Sequence, residues 1–448
     1  MWAPIYVSPH PNPLGQRFLD RLDLSKIRRA YRPWNLIDSH IVFGRPPFPL
    51  WFFLNVPEEK SITDRIDDMG PMMRESRKIV DDLLEPKAWI FWTDFLICLT
   101  VTYGCILFLF QIEEQAYPKG LPDAWSQLVP YFIYEIGNRP WVLLVYLVAG
   151  FGLHRLANFI HEVAHLNARN GLKKFRIAWN LLFGIPSMMP SYFFEFHMGH
   201  HNNTIYGTDV DGEYLPIGRG PIKNIIFFLM QVFVQPTFVL FRFLVIAPIS
   251  FLTPQLRDWS LSTLSSFVFN FSYRRKITGK EPRRWWAFMD VACSIRAWLI
   301  PGLVVVGIVS GGAIGSPACR IFTILTLAAM PLSLHYFRSL TAHFWTNAGG
   351  RMSFRDQLYD SADIVGNPFT ELVYPVGLRY HALHHMFPSM PYHNLGIAHR
   401  RLMAQLPADS PYRDLVYPSV YSVLKILFHN ARTIPKQTET KSSPAEAA

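Results

Sequence analysis

Long apolar runs separated by polar segments dominate the chain from residue 89 onward. Residues 89–110, WIFWTDFLICLTVTYGCILFLF, are 22 positions with a single charged side chain. As a helix this run is about 33 Å long, which matches the hydrocarbon core of a bilayer. Residues 1–88 mix arginine, aspartate, proline and lysine without a comparable run. The pattern therefore predicts a soluble N-terminal arm, with short helices near 60–86, ahead of a first membrane span.

Three later runs are also typical of membrane spans. They cover residues 141–160, about 286–312 and about 319–344, and the turn GGAIGSPAC separates the last two. The loop 111–140 carries four acidic and two basic residues. Since cytoplasmic loops are enriched in Lys and Arg, this loop is predicted to lie outside. The sequence thus predicts four crossings, with both termini and every histidine cluster on the cytoplasmic side.

The apolar segment 222–252 does not fit this scheme easily. Pro236 interrupts it, Arg242 lies in its second half, and the later run YRRKITGKEPRR, residues 273–284, has six basic residues against one glutamate. If that basic run is cytoplasmic, a single crossing is excluded. The segment is therefore predicted to form a kinked, interfacial or re-entrant pair of helices. One ordinary crossing is the alternative.

Composition agrees with a membrane protein. Half of the 448 residues are apolar, 15% are aromatic and only 17% are charged, where a soluble domain has about a quarter of its residues charged. The net charge of +10 is attributed to cytoplasmic loops rather than to a nucleic-acid partner. The first 30 residues lack the apolar core of a signal peptide. Neither a zinc ribbon nor a disulfide framework is indicated, because no CxxC pair occurs among Cys98, Cys105, Cys293 and Cys319.

The residues with candidate chemistry are three histidine clusters, HEVAH, HMGHH and HALHH. They comprise His161 and His165; His197, His200 and His201; and His381, His384 and His385. On a helix, positions i, i+3 and i+4 share one face, so each cluster directs its imidazoles to one point. At this histidine content an HxxHH pattern arises by chance about 0.02 times, yet it occurs twice. The clusters therefore indicate metal ligands.

The number of imidazoles indicates two metal ions. A structural zinc ion takes four ligands, and the eight histidines exceed that number. Imidazole suits iron, copper and zinc, and an all-nitrogen pair of ions beside lipid favours redox chemistry on a hydrocarbon. A single structural zinc ion, a zinc hydrolase and a non-catalytic membrane protein that senses metal are the alternatives.

The three clusters, in this order and with this spacing, resemble the histidine boxes of the membrane fatty acid desaturase superfamily. The segment FPSMPYHNL, residues 387–395, also resembles the sequence that follows the last box. The resemblance covers about residues 89–405, between the arm 1–88 and a C-terminal cytoplasmic segment, 406–448, whose end is expected to be disordered. It implies an all-α integral membrane protein with four transmembrane helices and a cytoplasmic helical cap that carries a histidine-rich di-iron site.

The resemblance also adds a ninth ligand. In the acyl-CoA branch of the superfamily, a histidine at the cytoplasmic end of the fourth helix lies in an Asn-x-x-x-His pattern, and His343 takes the matching place. The matching asparagine position is Ser339, which departs from the pattern. A helix-end histidine paired with a carbonyl is the alternative. The predicted metal ligands are His161, His165, His197, His200, His201, His343, His381, His384 and His385.

Carboxylates near the boxes are candidates to accept the second N–H of a metal-bound imidazole, which fixes the tautomer. The candidates are Glu162, Glu195, Asp209, Asp211, Asp360 and Asp363. The segment GTDVDGEYLP after the second box is the preferred source, so Asp209 and Asp211 are predicted to serve. For each of them a solvated loop residue is the alternative. Four histidines do not complete a box and are left out: His154, His335, His393 and His399.

Removing hydrogen from an unactivated methylene is beyond ordinary side-chain acids and bases, so this chemistry is assigned to two iron ions and dioxygen. The predicted reaction is desaturation of the acyl chain of a lipid, and a hydroxylase or ketolase on the same scaffold is the alternative. The sequence contains no haem-binding, iron–sulfur or GxGxxG motif. Electrons are therefore expected from a separate ferredoxin or b-type cytochrome with its reductase. The lack of a fused cytochrome and of a retention-like basic tail favours a bacterial inner membrane over the endoplasmic reticulum.

Overall fold

The structure is a computed structural model that describes residues 69–116, 128–165, 172–266, 273–309 and 317–433. Most of the predicted N-terminal arm and the end of the chain that was expected to be disordered lie outside these residues. Within them, the expectation of short helices near 60–86 is met by Met69–Val80 and by the short 3-10 helix Asp81–Leu83.

The described residues are mostly helical. Numbered in chain order, the α-helices are α1 Met69–Val80, α2 Ala88–Ala116, α3 Leu128–Asn138, α4 Pro140–His165, α5 Lys173–Trp179, α6 His197–His200, α7 Ile222–Phe241, α8 Ala247–Ser250, α9 Pro254–Thr263, α10 Arg283–Val309, α11 Pro317–Ala342, α12 Phe354–Tyr359, α13 Thr370–Val373, α14 His381–Met386, α15 Tyr392–Gln405 and α16 Val420–Thr433. The short strands β1, Asp363–Ile364, and β2, Val416–Tyr417, form a parallel pair in which Asp363 is opposite Val416.

Five helical runs among the described residues are long and apolar enough to cross a membrane. They are Ala88–Ile112, Pro140–His165, Ile222–Ser250, Arg283–Val306 and Ile321–Ala342. Four of them correspond to the predicted spans, which confirms the all-α integral membrane fold. The chain is a multi-pass membrane protein. The number of crossings and the side on which each terminus lies stay predictions.

The segment 222–252 does not form the predicted pair of helices. Pro236 lies inside α7, and the helical run continues through a π-helical turn, Arg242–Ile246, into α8. A proline removes one backbone hydrogen bond, but a backbone in lipid has no partner other than its own helix. The π turn places Arg242 so that its guanidinium lies 3.1 Å from the carboxylate of Asp290 on α10. The predicted break at Pro236 is therefore wrong.

The loop predicted over residues 111–140 also contains a helix. The sequence of α3, LVPYFIYEIGN, is largely apolar. Phe132 packs edge-to-face on Tyr146 of α4, with ring centroids 5.1 Å apart. Burial of this apolar surface against α4 stabilises a helix within the segment that was predicted to be a loop between two spans.

Helix α4 packs against both α2 and α11. Four aromatic rings join α4 to α2, α5 and α15 with edge contacts at centroid distances between 5.0 and 5.8 Å: Phe91, Phe159, Phe175 and Tyr392. Edge-to-face pairs add to the free energy of burial, about 0.5–1.5 kcal/mol each. This cluster holds the end of α4, which carries the first histidine box, against the segment that follows the third box.

A partly buried polar contact reinforces the same junction. Arg155 of α4 donates two hydrogen bonds to Asp94 of α2, at 2.9 and 2.5 Å. The hydroxyl of Tyr392 donates to the same carboxylate at 2.7 Å. A bidentate pair fixes the relative orientation of its two helices as well as stabilising their contact.

Candidate metal centre

The three histidine boxes lie on helices, as their spacing predicts. HEVAH ends α4, HMGHH begins with α6, and HALHH opens α14. His343 directly follows the last residue of α11. Helix α11 packs against α4, the helix that carries the first box.

The nine predicted ligands form two groups. In the first, the ligand nitrogens of five histidines all lie within 4.8 Å of one another: His161, His165, His197, His201 and His384. In the second, the same holds for four histidines: His200, His343, His381 and His385. We call these the five-histidine group and the four-histidine group. They are neighbours, since the rings of His201 and His385, one from each group, have centroids 4.5 Å apart.

The distances between ring nitrogens match those of ligands on a common ion. Nε2 of His343 lies 2.9 Å from Nε2 of His381 and 3.1 Å from Nε2 of His200. In the other group, Nε2 of His384 lies 3.1 Å from Nε2 of His165. Two imidazoles at right angles on one ion, each at about 2.1 Å, have nitrogens about 3.0 Å apart.

The hydrogen bonds of the opposite ring nitrogens explain why a cation belongs between these Nε2 atoms. Nδ1 of His197 donates to Glu213 at 2.5 Å, and Nδ1 of His200 donates to Asp211 at 2.8 Å. A neutral imidazole has one N–H, so Nε2 of His197 carries a lone pair, and Nε2 of His200 carries one once a metal displaces its second proton. Lone pairs that face one another in a buried site are unfavourable unless a cation lies between them. His161 is buried and has no hydrogen-bond partner at either ring nitrogen among the residues that the structure describes. This donor set fits two metal ions of the kind that imidazole binds, iron included.

The carboxylates of Asp211 and Glu213 also increase the basicity of His200. Burial opposes a charge on His200, but Asp211 and Glu213 outweigh it and raise the pKa of His200 to about 9. Burial likewise opposes the charge on Asp211, and the contact with His200 more than compensates, so the pKa of Asp211 lies below its usual value. A more basic imidazole is a stronger metal ligand once the metal has replaced its Nε2 proton.

His343 is held by a relay of buried polar groups. Its Nδ1 donates to the hydroxyl of Tyr206 at 2.8 Å, and that hydroxyl donates to Asp360 at 2.8 Å. Asp360 also accepts from the hydroxyl of Tyr214 at 2.8 Å and from both the backbone N–H and the hydroxyl of Thr346. Burial raises the pKa of Asp360, and these four donors oppose the rise. The relay fixes the ring plane of His343 from three segments of the chain.

The third box has its own supports. Nδ1 of His385 lies 3.0 Å from the side-chain amide of Gln357. Asp363 accepts from the backbone N–H of Leu383, in the first turn of α14, and from the hydroxyl of Tyr412, both at 3.0 Å. Burial raises the pKa of Asp363 to about 7 despite these donors. The carboxylate thus occupies the position of a helix cap for the helix that carries three histidines.

The other carboxylates named from the sequence lie in different surroundings. Asp209 is exposed and forms no hydrogen bond with a box histidine in the part of the chain that the structure describes. Glu162 is buried and accepts from the backbone N–H of Tyr392 at 3.2 Å, while its other oxygen lies 3.5 Å from Nδ1 of His161. Glu195 pairs with Arg176. Of the two preferred residues, Asp211 contacts a box histidine and Asp209 does not.

The four histidines that do not complete a box lie outside both groups: His154, His335, His393 and His399. Nε2 of His154 lies 2.9 Å from the carbonyl oxygen of Val373, and Nδ1 of His399 lies 2.8 Å from the hydroxyl of Tyr412. Both contacts are those of buried histidines with structural partners.

Sequence reasoning missed Glu213, Tyr206 and Gln357. Glu213 lies in the preferred segment, GTDVDGEYLP, but nothing in the order of its acidic residues marks position 213 rather than 209. Tyr206 follows the second box by five residues and belongs to no motif. Gln357 precedes His381 by 24 residues, so no local signal was available for it.

Comparison with known proteins agrees with this geometry. The family model described as fatty acid desaturase matches residues 139–416, which include all nine histidines of the two groups. The chain belongs to the fatty acid desaturase family. It is also 33% identical over 376 residues to a ceramide hydroxylase of Caulobacter vibrioides (strain NA1000 / CB15N), a match that covers 84% of this chain and 97% of that relative. The chain is therefore an oxidoreductase of the desaturase and hydroxylase family.

Proposed function

We propose that this protein uses dioxygen to oxidise an unactivated C–H bond of a long-chain lipid, at two iron ions held by the nine histidines. Hydroxylation is the reaction we favour. The observation that carries the proposal is the pair of adjacent all-imidazole groups located where two candidate spans, Pro140–His165 and Ile321–Ala342, end.

Each group would hold one iron ion. The bound ions would supply the activation of dioxygen that hydrogen removal from a methylene requires. The protein's own groups keep the ligands in place: Asp211 and Glu213 hold the Nδ1 protons of His200 and His197, which directs each Nε2 toward the metal position. Because seven of the nine imidazoles are buried, bulk water is kept from the reacting carbon.

The position of the groups supports a substrate that comes from the bilayer. His161 and His165 belong to the last turns of one candidate span, and His343 directly follows another. A lipid chain aligned with these helices would bring a methylene to the histidines, while a polar headgroup remained near the membrane surface. A soluble substrate would have no need of such a location.

The relative named ceramide hydroxylase supports hydroxylation, and its length is almost entirely matched by this chain. On this basis we assign a ceramide-type lipid, an amide of a long-chain base, as the substrate class. The reaction consumes R–H, dioxygen, two electrons and two protons, and it yields R–OH and water.

Desaturation is the second candidate. The segment after the third box, FPSMPYHNL, resembles that of desaturases. Both reactions begin with removal of one hydrogen from a methylene, and desaturation then removes a second hydrogen from the adjacent carbon and yields two molecules of water. The fatty acid desaturase family match is compatible with either outcome.

The electrons would come from a separate ferredoxin, or from a b-type cytochrome with its reductase, since the sequence carries no motif for a redox cofactor other than the histidine boxes. We place the protein in a bacterial inner membrane with both termini in the cytoplasm, which puts the two histidine groups on the side where such donors are reduced.

The experiment is to purify the protein, measure its metals, and supply ceramide with dioxygen and a reconstituted donor chain. We expect about two iron ions per chain and a product about 16 mass units heavier than the substrate. A product about 2 mass units lighter would establish desaturation instead. Stoichiometric zinc with no consumption of oxygen would refute the oxidase proposal and favour a metal-sensing protein. Turnover with a pyridine nucleotide and no added donor protein would refute the external donor.

A further inference from the structure

A buried arginine lies five residues before His343 in the chain, and no carboxylate of the described residues is within hydrogen-bond distance of it. Arg338 belongs to α11, inside the candidate span Ile321–Ala342, and it is only 5% exposed. Its Nη2 donates to the hydroxyl of the adjacent Ser339 at 3.2 Å, and its Nε has no hydrogen-bond partner. Among the described residues, no carboxylate lies within ion-pair distance of it, and Glu213 acts on it only at longer range. A charge in this position is costly, and the cost indicates a role in function.

Two other arginines of the candidate spans show how this protein neutralises a guanidinium when its role is structural. Arg242 is 1% exposed, pairs with Asp290 at 3.1 Å and also donates to the carbonyl of Leu264 at 3.0 Å. Arg155 pairs with Asp94 through two hydrogen bonds. Arg338 has no equivalent of Asp290 or Asp94.

Arg338 precedes His343 by five positions, about 7.5 Å along a helix axis, and it lies inside the candidate span whose last residue His343 follows. The positive charge of Arg338 agrees with this proximity, since it adds to the effect of burial and of the neighbouring histidines in lowering the pKa of His343 and of His381. Arg338 is therefore about one and a half helical turns from a predicted ligand of the four-histidine group.

Helix α4, which packs against α11, carries two buried polar side chains, His154 and Asn158, and the amide of Asn158 lies 3.3 Å from Nδ1 of His154. On α11 itself, the hydroxyl of Thr341, three residues after Arg338, lies 2.5 Å from the hydroxyl of Tyr374. A plain alkyl chain would leave the free N–H of Arg338 without an acceptor, whereas a lipid with an oxygen at this depth would satisfy it.

We propose that the guanidinium of Arg338 binds an oxygen atom of the lipid substrate, an amide carbonyl or a hydroxyl, and so determines which carbon lies against the two histidine groups. The inference rests on the proposed function for the identity of the substrate as a lipid. It adds that the substrate carries its oxygen atom within a few bonds of the reacting carbon. Arg338 is then a specificity-determining residue rather than a metal ligand.

The test measures binding without turnover. The anaerobic iron-loaded protein is titrated with three probes of equal chain length: N-methylpalmitamide, hexadecanol and hexadecane. The unaltered protein is expected to bind at least one of the two oxygen-bearing probes more tightly than hexadecane. Arg338→Gln is expected to raise the Kd of that probe about 10- to 100-fold, because a hydrogen bond from a charged donor is lost, and to change the Kd of hexadecane little. Arg338→Lys, which keeps a charged donor, should restore part of the preference.

The three probes distinguish the two oxygen sources. An effect confined to N-methylpalmitamide assigns the contact to a carbonyl, and an effect confined to hexadecanol assigns it to a hydroxyl. Arg242→Gln is the matched control for a buried arginine: it should lower the thermal stability of the protein without altering the ratio of the three Kd values.

Equal Kd values for all three probes with the unaltered protein would overturn the proposal even if Arg338→Gln failed to fold. An equal change for all three in Arg338→Gln would also overturn it, because Arg338 would then be structural. Failure of the proposed reaction is recognised separately, since it would appear as lack of product from any lipid while the probe preference persisted.

Discussion

The five-histidine group and the four-histidine group differ in what surrounds them. In the five-histidine group, His165 and His201 are partly exposed, and one carboxylate, that of Glu213, accepts from a ring nitrogen at hydrogen-bond distance. In the four-histidine group every imidazole is buried. Three of those four have a partner on Nδ1: Asp211, Tyr206 and Gln357.

The difference suggests two ways to hold a metal ion. The five-histidine group has one more ligand, and two of its imidazoles are partly exposed. The four-histidine group has fewer ligands, but further hydrogen bonds fix the orientation of three of them. Outer partners of metal ligands typically change metal affinity 10- to 100-fold. The four-histidine group should therefore depend on each ligand and on each support, and the five-histidine group should tolerate a loss more readily.

The largest effect is expected from removing one ligand of each group. His381→Ala leaves three imidazoles, and bound iron should fall from about two ions per chain to about one, with turnover reduced more than about 100-fold. His165→Ala leaves four, and we expect both ions to remain with turnover reduced about 10-fold. Iron per chain and oxygen consumption measure the two outcomes.

His429→Ala provides the control, because His429 is exposed on α16 and belongs to neither group. It should retain both ions and full turnover. Identical iron losses in His381→Ala and His165→Ala would show that the groups do not differ in tolerance.

Removing a carboxylate should have the next largest effect. Asp211→Asn should weaken iron binding about 10- to 100-fold, since the carboxylate also accepts backbone N–H groups of Gly207 and Glu213. Glu213→Gln should weaken iron binding less, because Glu213 accepts a hydrogen bond from only one ligand, His197. The iron lost from each variant at increasing chelator concentration measures the two effects. Asp209→Asn is the control from the same loop, and a loss of iron there would contradict the assignment of roles.

A smaller effect is expected from the relay behind His343. Tyr206→Phe removes the hydroxyl between His343 and Asp360 and should lower kcat about 5- to 30-fold, with little change in KM. Tyr214→Phe removes another donor to the same carboxylate without touching His343, so it should reduce stability by about 1 kcal/mol and leave kcat nearly unchanged. Steady-state kinetics and thermal unfolding separate these outcomes, and equal kcat values for the two variants would exclude a role for the relay.

The smallest effect concerns the turn that holds Asp211. Gly207 has φ +71° and its N–H donates to Asp211 at 2.9 Å. A Cβ at Gly207 would lie 2.3 Å from the amide nitrogen of Asn347. Gly207→Ala should therefore cost about 1–2 kcal/mol from the backbone, plus the cost of moving Asn347, and should loosen iron in the four-histidine group alone.

Gly279→Ala is the control that measures the cost of a positive φ alone, without a steric clash of the new Cβ. Gly279 has φ +82°, and no atom lies within 4 Å of an added Cβ. It should lower stability by about 1–2 kcal/mol without affecting iron. A comparable loss of iron in both variants would mean that the turn at Gly207 does not position Asp211.

Much of the architecture was predictable because the relevant patterns are local. The run 89–110 is apolar over a bilayer's thickness, and it lies within α2. The first box lies at the end of α4 because its spacing follows a helical face. The helix at 222–250 was predicted to break at Pro236 because a proline removes one backbone hydrogen bond. In lipid, however, the other backbone groups have no hydrogen-bond partner outside the helix, so the helix continues through the proline.

The sequence by itself determined that eight histidines lie on short helical faces, that apolar helices cross a membrane, and that His343 ends one of them. Local backbone geometry is sufficient for these features, because they depend on residues a few positions apart. The tertiary structure alone decided that the adjacent residues His200 and His201 belong to different groups, that Glu213 supports one group while Asp211 supports the other, and that the buried Nε of Arg338 has no hydrogen-bond partner among the described residues. These contacts join segments that are far apart in the chain, and only the packing of the helices fixes the distances between them.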